Sequence, residues 1–159
     1  AIEKINNIEY NLAGPAPDIN FLNELQALKG WNKVNYVGRV PFQAVELIYQ
    51  KSLIGVAIYI YCNNMDGQKG NLANTKLFEF MAAGCQIVCP NLAPMRRYDV
   101  TGANFFIPGD IVSLGNSIIS AIKKLSNKNI LKNQLKVKSD YNWDNNSSEL
   151  INLYERLLS

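Results

Sequence analysis

The chain has 159 residues, of which 48% are hydrophobic and 18% charged, and these values are typical of one soluble domain with a single core. The formal net charge is +3, but the basic residues are scattered rather than grouped, so the sequence does not indicate binding to nucleic acid. The chain contains no histidine, which excludes Ser-His-Asp and Cys-His nucleophilic centres and any histidine general base.

The apolar and cysteine patterns give expectations about location. The longest apolar stretch, Leu53–Cys62, is too short to span a membrane, and no basic segment followed by an apolar run opens the chain. Three cysteines without a CxxC pattern favour reduced thiols over a disulfide framework or a zinc site. We therefore expect a cytoplasmic protein with no transmembrane segment and no bound metal.

Short β-rich apolar runs alternate with segments of helical periodicity, and this alternation predicts an α/β fold with a doubly wound, mostly parallel sheet. The predicted strands are Glu9–Ala13, Val34–Gly38, Ile54–Tyr61, Gln86–Pro90 and Asn104–Ile107. The predicted helices are Ile19–Lys29, Phe42–Lys51, Thr75–Ala83, Ile111–Leu125, Ile130–Lys138 and Asn145–Leu158. Gly84 is predicted to end one helix and Asp110 to cap another.

Ligands of an open parallel sheet bind beyond the carboxyl ends of its strands. Four predicted loops follow strands and would lie there: Gly14–Asp18, Arg39–Pro41, Asn63–Asn74 and Asn91–Arg97. The long loop Asn63–Asn74 is rich in Asn and Gly, so we expect it to be mobile without a ligand and ordered when one binds. In the fourth loop, Arg96 and Arg97 are candidates to contact a phosphate or an acceptor, or are simply a solvated basic helix start.

The long loop leads through Asn74 and Thr75 directly into a predicted helix. The first turn of a helix offers unpaired backbone N–H groups and the positive end of the helix dipole, which together suit a phosphate. Lys76 adds a cationic donor at the same place. The alternative is a capped surface loop in which Lys76 is only solvated.

Glu79 stands in this helix with apolar residues on almost every side. A carboxylate in such a position is costly unless it is paired or faces a cleft. One turn beyond a phosphate site, it could accept hydrogen bonds from the hydroxyls of a ribose. The alternative is an i,i+3 ion pair with Lys76.

The run from Lys76 to Pro90, KLFEFMAAGCQIVCP, resembles the "KLFEYMAAG" and "EAMAAG-x-P-V-V" segments of the group 1 glycosyltransferases. Further pieces follow in the order of that family. The strand Val34–Gly38 with the helix Phe42–Lys51 resembles its "V-x-F-x-G-x-V" strand and "E-L-x-x-x-Y" helix, Gly102–Asp110 resembles "G-x-L-V-x-P-G-D", and Tyr141–Leu158 resembles the terminal "Y-x-W … L-x-x-L-Y" helix.

This resemblance implies a Rossmann-like domain, the C-terminal half of a GT-B enzyme, which binds a nucleotide-sugar donor. Residue by residue, Glu79 matches the glutamate that holds the ribose. The turn whose amides meet the diphosphate is matched by Asn74, Thr75 and Lys76. The loop beside the base is matched by Arg39, Val40 and Pro41.

The chain departs from the family in two places. Asn71, eight residues before Glu79, stands where the family often has a second glutamate that contacts the donor sugar. An amide can still bond sugar hydroxyls but brings no negative charge. The opening strand and helix of the family, which carry an Arg and a Lys for the diphosphate, have no counterpart, so residues 1–159 are expected to be a single donor-binding domain without its first βα unit.

The resemblance implies transfer of a sugar from a nucleotide-sugar to an acceptor sugar or lipid-linked sugar. The acceptor site, and any peripheral membrane contact, would belong to an N-terminal domain outside these residues. No Asp-x-Asp motif occurs, so we expect transfer without a metal, and we expect no cofactor besides the nucleotide-sugar substrate. Catalytic residues are not predicted. The alternative is a non-catalytic module of the same fold that binds a nucleotide or a partner protein.

Overall fold

The computed structural model describes residues 1–59 and 75–158. In this part of the chain the strands are β1 Tyr10–Ala13, β2 Val34–Gly38, β3 Ile54–Val56, β4 Gln86–Pro90 and β5 Asn104–Phe106. The α-helices are α1 Ile19–Gln26, α2 Phe42–Gln50, α3 Thr75–Ala83, α4 Ala93–Arg97, α5 Ile111–Lys123, α6 Asn127–Asp140 and α7 Trp143–Leu158. Short 3-10 helices cover Ile2–Lys4 and Lys29–Lys33. The predicted alternation of strands and helices is confirmed.

The described strands form two parallel sheets. One contains β1 and β2, with Tyr10 opposite Val34 at the start of the register. The other has the order β3-β4-β5, with Ile54 opposite Gln86 and Val88 opposite Asn104. The sequence predicted one mostly parallel sheet, and the parallel direction is confirmed while the hydrogen bonding divides it into two.

The core lies on both faces of β4, all five residues of which are buried. Ile87 and Cys89 face a cluster with Leu77 and Met81 of α3, whereas Val88 faces a second cluster formed with α5. A strand buried on both faces is expected to be continuously apolar, as most of this strand is. Helices therefore cover both faces of the three-stranded sheet, as a doubly wound layer requires.

The N-terminal segment connects the two sheets. Ile5 is buried in the cluster that contains Val88. The Nζ of Lys33, which directly precedes β2, donates hydrogen bonds to the backbone oxygens of Ile2, Glu3 and Ile5 at 3.2, 2.7 and 2.6 Å. Lys33 thus holds the N-terminal segment beside the two-stranded sheet, and Ile5 anchors it to the core of the three-stranded sheet.

Several boundaries follow the sequence signals closely. β2, β4 and α3 have their predicted bounds. Gly84 follows α3 with φ 84°, a conformation that glycine adopts without steric cost. The Oδ1 of Asp110 accepts hydrogen bonds from the N–H groups of Val112 and Ser113 at 2.8 and 2.9 Å, so Asp110 caps α5 as predicted.

Other boundaries differ from the predictions. A helix of five residues, α4, lies where a loop was predicted, with Pro94 in its first turn, where a proline costs no hydrogen bond. α6 begins earlier than predicted because Ser126 caps it. α7 begins at Trp143, two residues early, where the Oδ1 of Asn142 accepts from the N–H of Asn145 at 2.8 Å.

Candidate functional site

A polar cluster lies at the first turns of α3. The Nζ of Lys76 lies 3.0 Å from the Oε2 of Glu79 and donates a hydrogen bond to the Oη of Tyr49, also at 3.0 Å. The same Nζ lies 5.7 Å from the centre of the Tyr49 ring. One ammonium group thus joins a carboxylate of its own helix to a phenol of α2.

The local sequence explains why these side chains meet. Leu77 and Met81 are fully buried, so they fix the face of α3 that packs on the sheet and leave Lys76 and Glu79 beside the core. Residues three apart on a helix are neighbours on its surface. Tyr49 is placed by its ring, which meets the ring of Phe80 edge to face with 4.9 Å between centroids.

Gly55 of β3 makes room for this arrangement. A Cβ built on Gly55 would lie 2.7 Å from the Cβ of Phe80 and would also collide with its ring. The absence of a side chain on the strand therefore lets Phe80 sit against the sheet, where it supports Tyr49.

The charge of Lys76 is stabilised within this cluster. The hydrogen bond to Tyr49 raises the pKa of Lys76 most, and the bond to Glu79 raises it further, while partial burial acts in the opposite direction. The pKa of Lys76 thus lies above its ordinary value, so Lys76 is an ammonium ion at neutral pH.

The structure contains the ion pair that the sequence offered as the alternative for Glu79. The pair is partly exposed, with 49% of the Lys76 side chain and 26% of the Glu79 side chain accessible to solvent. A pair this exposed is worth little stability, and it leaves the carboxylate within reach of a ligand. A ribose contact by Glu79 stays a prediction.

The loop predicted to lie beside the base follows β2. Gly38 has φ 64°, and a Cβ built there would meet no atom of residues 1–59 and 75–158 within 4 Å, so these residues leave the space beside the turn open. Arg39 is exposed, Val40 is half-buried, and Pro41 is the N-cap residue of α2. Among the described residues no hydrogen bond or ion pair joins this loop to Lys76 or Glu79.

Of the remaining predicted site residues, the structure describes Thr75 but not Asn71 or Asn74. Thr75 is the first residue of α3 and is exposed. Asn71 and Asn74, with the whole predicted loop Asn63–Asn74, lie outside the described residues. Tyr49 is a member of the cluster that the sequence did not predict. The sequence gives little indication of this contact, because Lys76 and Tyr49 are 27 positions apart.

A second polar group lies at the carboxyl ends of β4 and β5. The Nε of Arg96 donates to the Oδ1 of Asn91 at 2.5 Å, and its guanidinium carbon lies 4.5 Å from the centre of the Phe105 ring. The backbone N–H of Asn91 donates to the carbonyl of Phe106 at 2.7 Å, which ties this turn to the strand end.

Arg96 also lies close to Cys89. Burial raises the pKa of the Cys89 thiol to about 12, while the charge of Arg96 acts in the opposite direction. Burial likewise raises the pKa of Cys85 to about 11. Both cysteines belong to the cluster on one face of β4, so they are packing residues rather than nucleophiles.

Residues 1–59 and 75–158 contain no group of three or more Cys, Asp or Glu side chains that could hold a metal ion. No helix in these ranges is long and apolar enough to cross a bilayer.

No protein-family model matches the chain, and no curated protein matches it. Among solved structures, the chain is similar to AviGT4, a glycosyltransferase involved in avilamycin A biosynthesis, with a TM-score of 0.70 and 14% sequence identity. This likeness shows the fold. The predicted α/β, Rossmann-like architecture of GT-B type is confirmed by it. The match covers 94% of this chain and 43% of AviGT4, so the chain spans less than half of that enzyme's length.

Proposed function

We propose that the chain is the donor-binding domain of a glycosyltransferase, which holds the nucleoside diphosphate of an activated sugar at the start of α3. The observation that carries the proposal is the Lys76–Glu79–Tyr49 cluster at this helix start, in a fold shared with a glycosyltransferase. The resemblance of the run from Lys76 to Pro90 to the group 1 family supports it as well.

The first turn of α3 suits the diphosphate. Its backbone N–H groups have no partners within the helix, and the positive end of the helix dipole adds to their attraction for an anion. Asn74, Thr75 and Lys76 would present these amides. Because the Nζ of Lys76 is paired with Glu79, its charge adds less to phosphate binding than that of an unpaired lysine would.

Glu79 would receive the ribose. Its Oε2 lies 3.0 Å from the Nζ of Lys76, which favours one orientation of the carboxylate before a ligand arrives, and a preorganised acceptor loses less entropy on binding. Ribose hydroxyls are donors and a carboxylate is a strong acceptor. Asn71 would then face the sugar, and its amide would bond sugar hydroxyls without a charge.

The turn after β2 would receive the base. The described part of the chain leaves the space beside Gly38 open, and Arg39, Val40 and Pro41 directly follow Gly38 in the sequence. Backbone groups and the half-buried Val40 would contact the flat ring, while Arg39 could lie across it.

Transfer would then depend on electrostatic stabilisation of the departing diphosphate. Amides and cations at the α3 start would take the role that a metal has in other enzymes, so we propose transfer without a metal or a further cofactor. The acceptor sugar or lipid-linked sugar, and any base that activates it, would be held by residues outside this chain.

Thermal melting with UDP-, GDP- and ADP-sugars tests this proposal, because a ligand that binds only the folded state raises the melting temperature. At a ligand concentration of 100 Kd the added stability is about 2.7 kcal/mol. We expect one of the three nucleotides to raise the melting temperature with its sugar attached. Stabilisation by a nucleotide without any effect of the sugar would favour the non-catalytic module instead.

A further inference from the structure

Arg96 is held in one orientation at the carboxyl ends of β4 and β5. Its Nε donates a hydrogen bond to the Oδ1 of Asn91 at 2.5 Å, and its guanidinium carbon lies 4.5 Å from the centre of the Phe105 ring. Asn91 is itself fixed by its backbone hydrogen bond to Phe106. An exposed arginine usually samples many conformations, and these contacts limit Arg96 while leaving its residue exposed to solvent.

Arg96 lies on the same face of the sheet as α3. Met95, its neighbour, and Leu77, the neighbour of Lys76, are both fully buried in one core cluster. Phe78 of α3 meets Tyr98, which follows α4, with 4.9 Å between ring centroids. The start of α3 and the end of α4 are therefore parts of one packed unit above the same strands.

The charged side chains of this unit differ in whether they belong to an ion pair. Lys76 is paired with Glu79 and Lys136 with Asp99, and Arg96 belongs to neither of these pairs. The Lys76–Glu79 pair carries no net charge. A diphosphate carries more than one negative charge, so a further cation near the start of α3 would strengthen the attraction for it.

A guanidinium is well suited to this task. It is planar, it stays protonated at all ordinary pH values, and it can bind phosphate oxygens through two parallel N–H groups. With Nε bound to Asn91, the two Nη groups form the edge directed away from that contact. We propose that Arg96 binds the diphosphate of the donor, opposite the amides of the α3 start. This assignment rests on the proposed donor site.

Binding measured by titration calorimetry tests the assignment, with UDP, GDP and ADP and the corresponding nucleosides as probes. The variants are Arg96→Gln, which removes the charge, and Arg96→Lys, which keeps the charge but not the two-pronged geometry. The matched control is Arg156→Gln on α7, an exposed arginine whose Nε also donates to an oxygen, the carbonyl of Asn152 at 3.2 Å. Melting temperatures establish that each variant is folded.

We expect Arg96→Gln to weaken the best nucleoside diphosphate about tenfold or more, with an intermediate loss for Arg96→Lys and none for Arg156→Gln. Binding of the nucleoside without phosphates should be unchanged by all three. Unchanged diphosphate binding in folded Arg96→Gln, or an equal loss in Arg156→Gln, would overturn the role of Arg96 alone. If the wild-type chain binds none of the three diphosphates, the proposed donor site is wrong, and the role of Arg96 with it.

Discussion

Replacing Glu79 by Gln separates a structural role of this side chain from a binding role, because the two roles differ in magnitude. The substitution removes the negative charge and keeps the size of the side chain. The lost contact with Lys76 is an i,i+3 pair at 3.0 Å that is 49% and 26% exposed. Such a pair contributes about 0.2–0.5 kcal/mol, so the free energy of unfolding should change by no more than about this amount.

The expected loss in nucleotide binding is larger. Removing a charge-assisted hydrogen bond to a ribose hydroxyl costs about 1–3 kcal/mol, which is about 5- to 150-fold in Kd. The melting temperature should fall by only about 1–2 °C, since about 1 kcal/mol shifts a domain of this size by about 2–4 °C. Calorimetric titration with the best nucleoside diphosphate and a melting curve measure the two effects on one sample.

Glu46→Gln is the matched control for this experiment. Glu46 is an exposed carboxylate of α2 whose Oε1 accepts a hydrogen bond from Gln50 at 3.1 Å, within its own helix. It should change neither nucleotide affinity nor stability appreciably. Equal losses of affinity in both variants would indicate a general charge effect. A Glu79→Gln variant that unfolds, together with a wild-type chain that binds no nucleotide, would make Glu79 structural and refute the reasoning.

Three further predictions concern packing, pH and activity. Gly55→Ala should lower the free energy of unfolding by about 1–3 kcal/mol, because the new Cβ displaces Phe80. Chemical denaturation measures this loss, and an unchanged midpoint would contradict the packing of Phe80 against Gly55. Burial raises the pKa of Cys85 to about 11 and of Cys89 to about 12. Above about pH 9 the unfolded chain therefore binds fewer protons than the folded chain. The free energy of unfolding should fall as the pH rises through this range. Melting curves between pH 8 and 10 should show this fall in the wild type and a smaller one in Cys89→Ala. The chain alone, given donor and acceptor, should transfer no sugar, because the acceptor must be held beside the donor. Rapid transfer by the isolated chain would contradict this expectation.

Much of the fold was predictable because the signals for these elements are local. The apolar run of β4 and the glycine after α3 specify an element and its end within a few residues. The cap of α5 by Asp110 is equally local. The short helix α4 was not predicted, because five residues leave too little periodicity to recognise. The division into two sheets depends on pairing between distant segments, which no local pattern contains.

The candidate site was predictable only in part, for the same reason. Lys76 and Glu79 lie three apart, so their pairing could be offered as an alternative from the sequence. The contact of Lys76 with Tyr49 could not be predicted, because the two residues are 27 positions apart and their contact depends on how α2 packs against α3. The setting of Arg96 is similar, because Phe105 belongs to the neighbouring strand β5 and only the parallel pairing of β4 and β5 brings it near.

Amide hydrogen exchange with and without UDP-, GDP- and ADP-sugars tests the donor-site proposal most directly, because it reports where a ligand binds as well as whether it binds. We predict slower exchange at Thr75–Glu79 and at Arg39–Val40 with one of these ligands, and slower exchange in the segment Asn63–Asn74 if the sugar is contacted as proposed. Protection of Thr75–Glu79 without that segment would confine the site to the nucleotide. A folded chain in which none of these amides responds to any nucleotide-sugar would contradict the account.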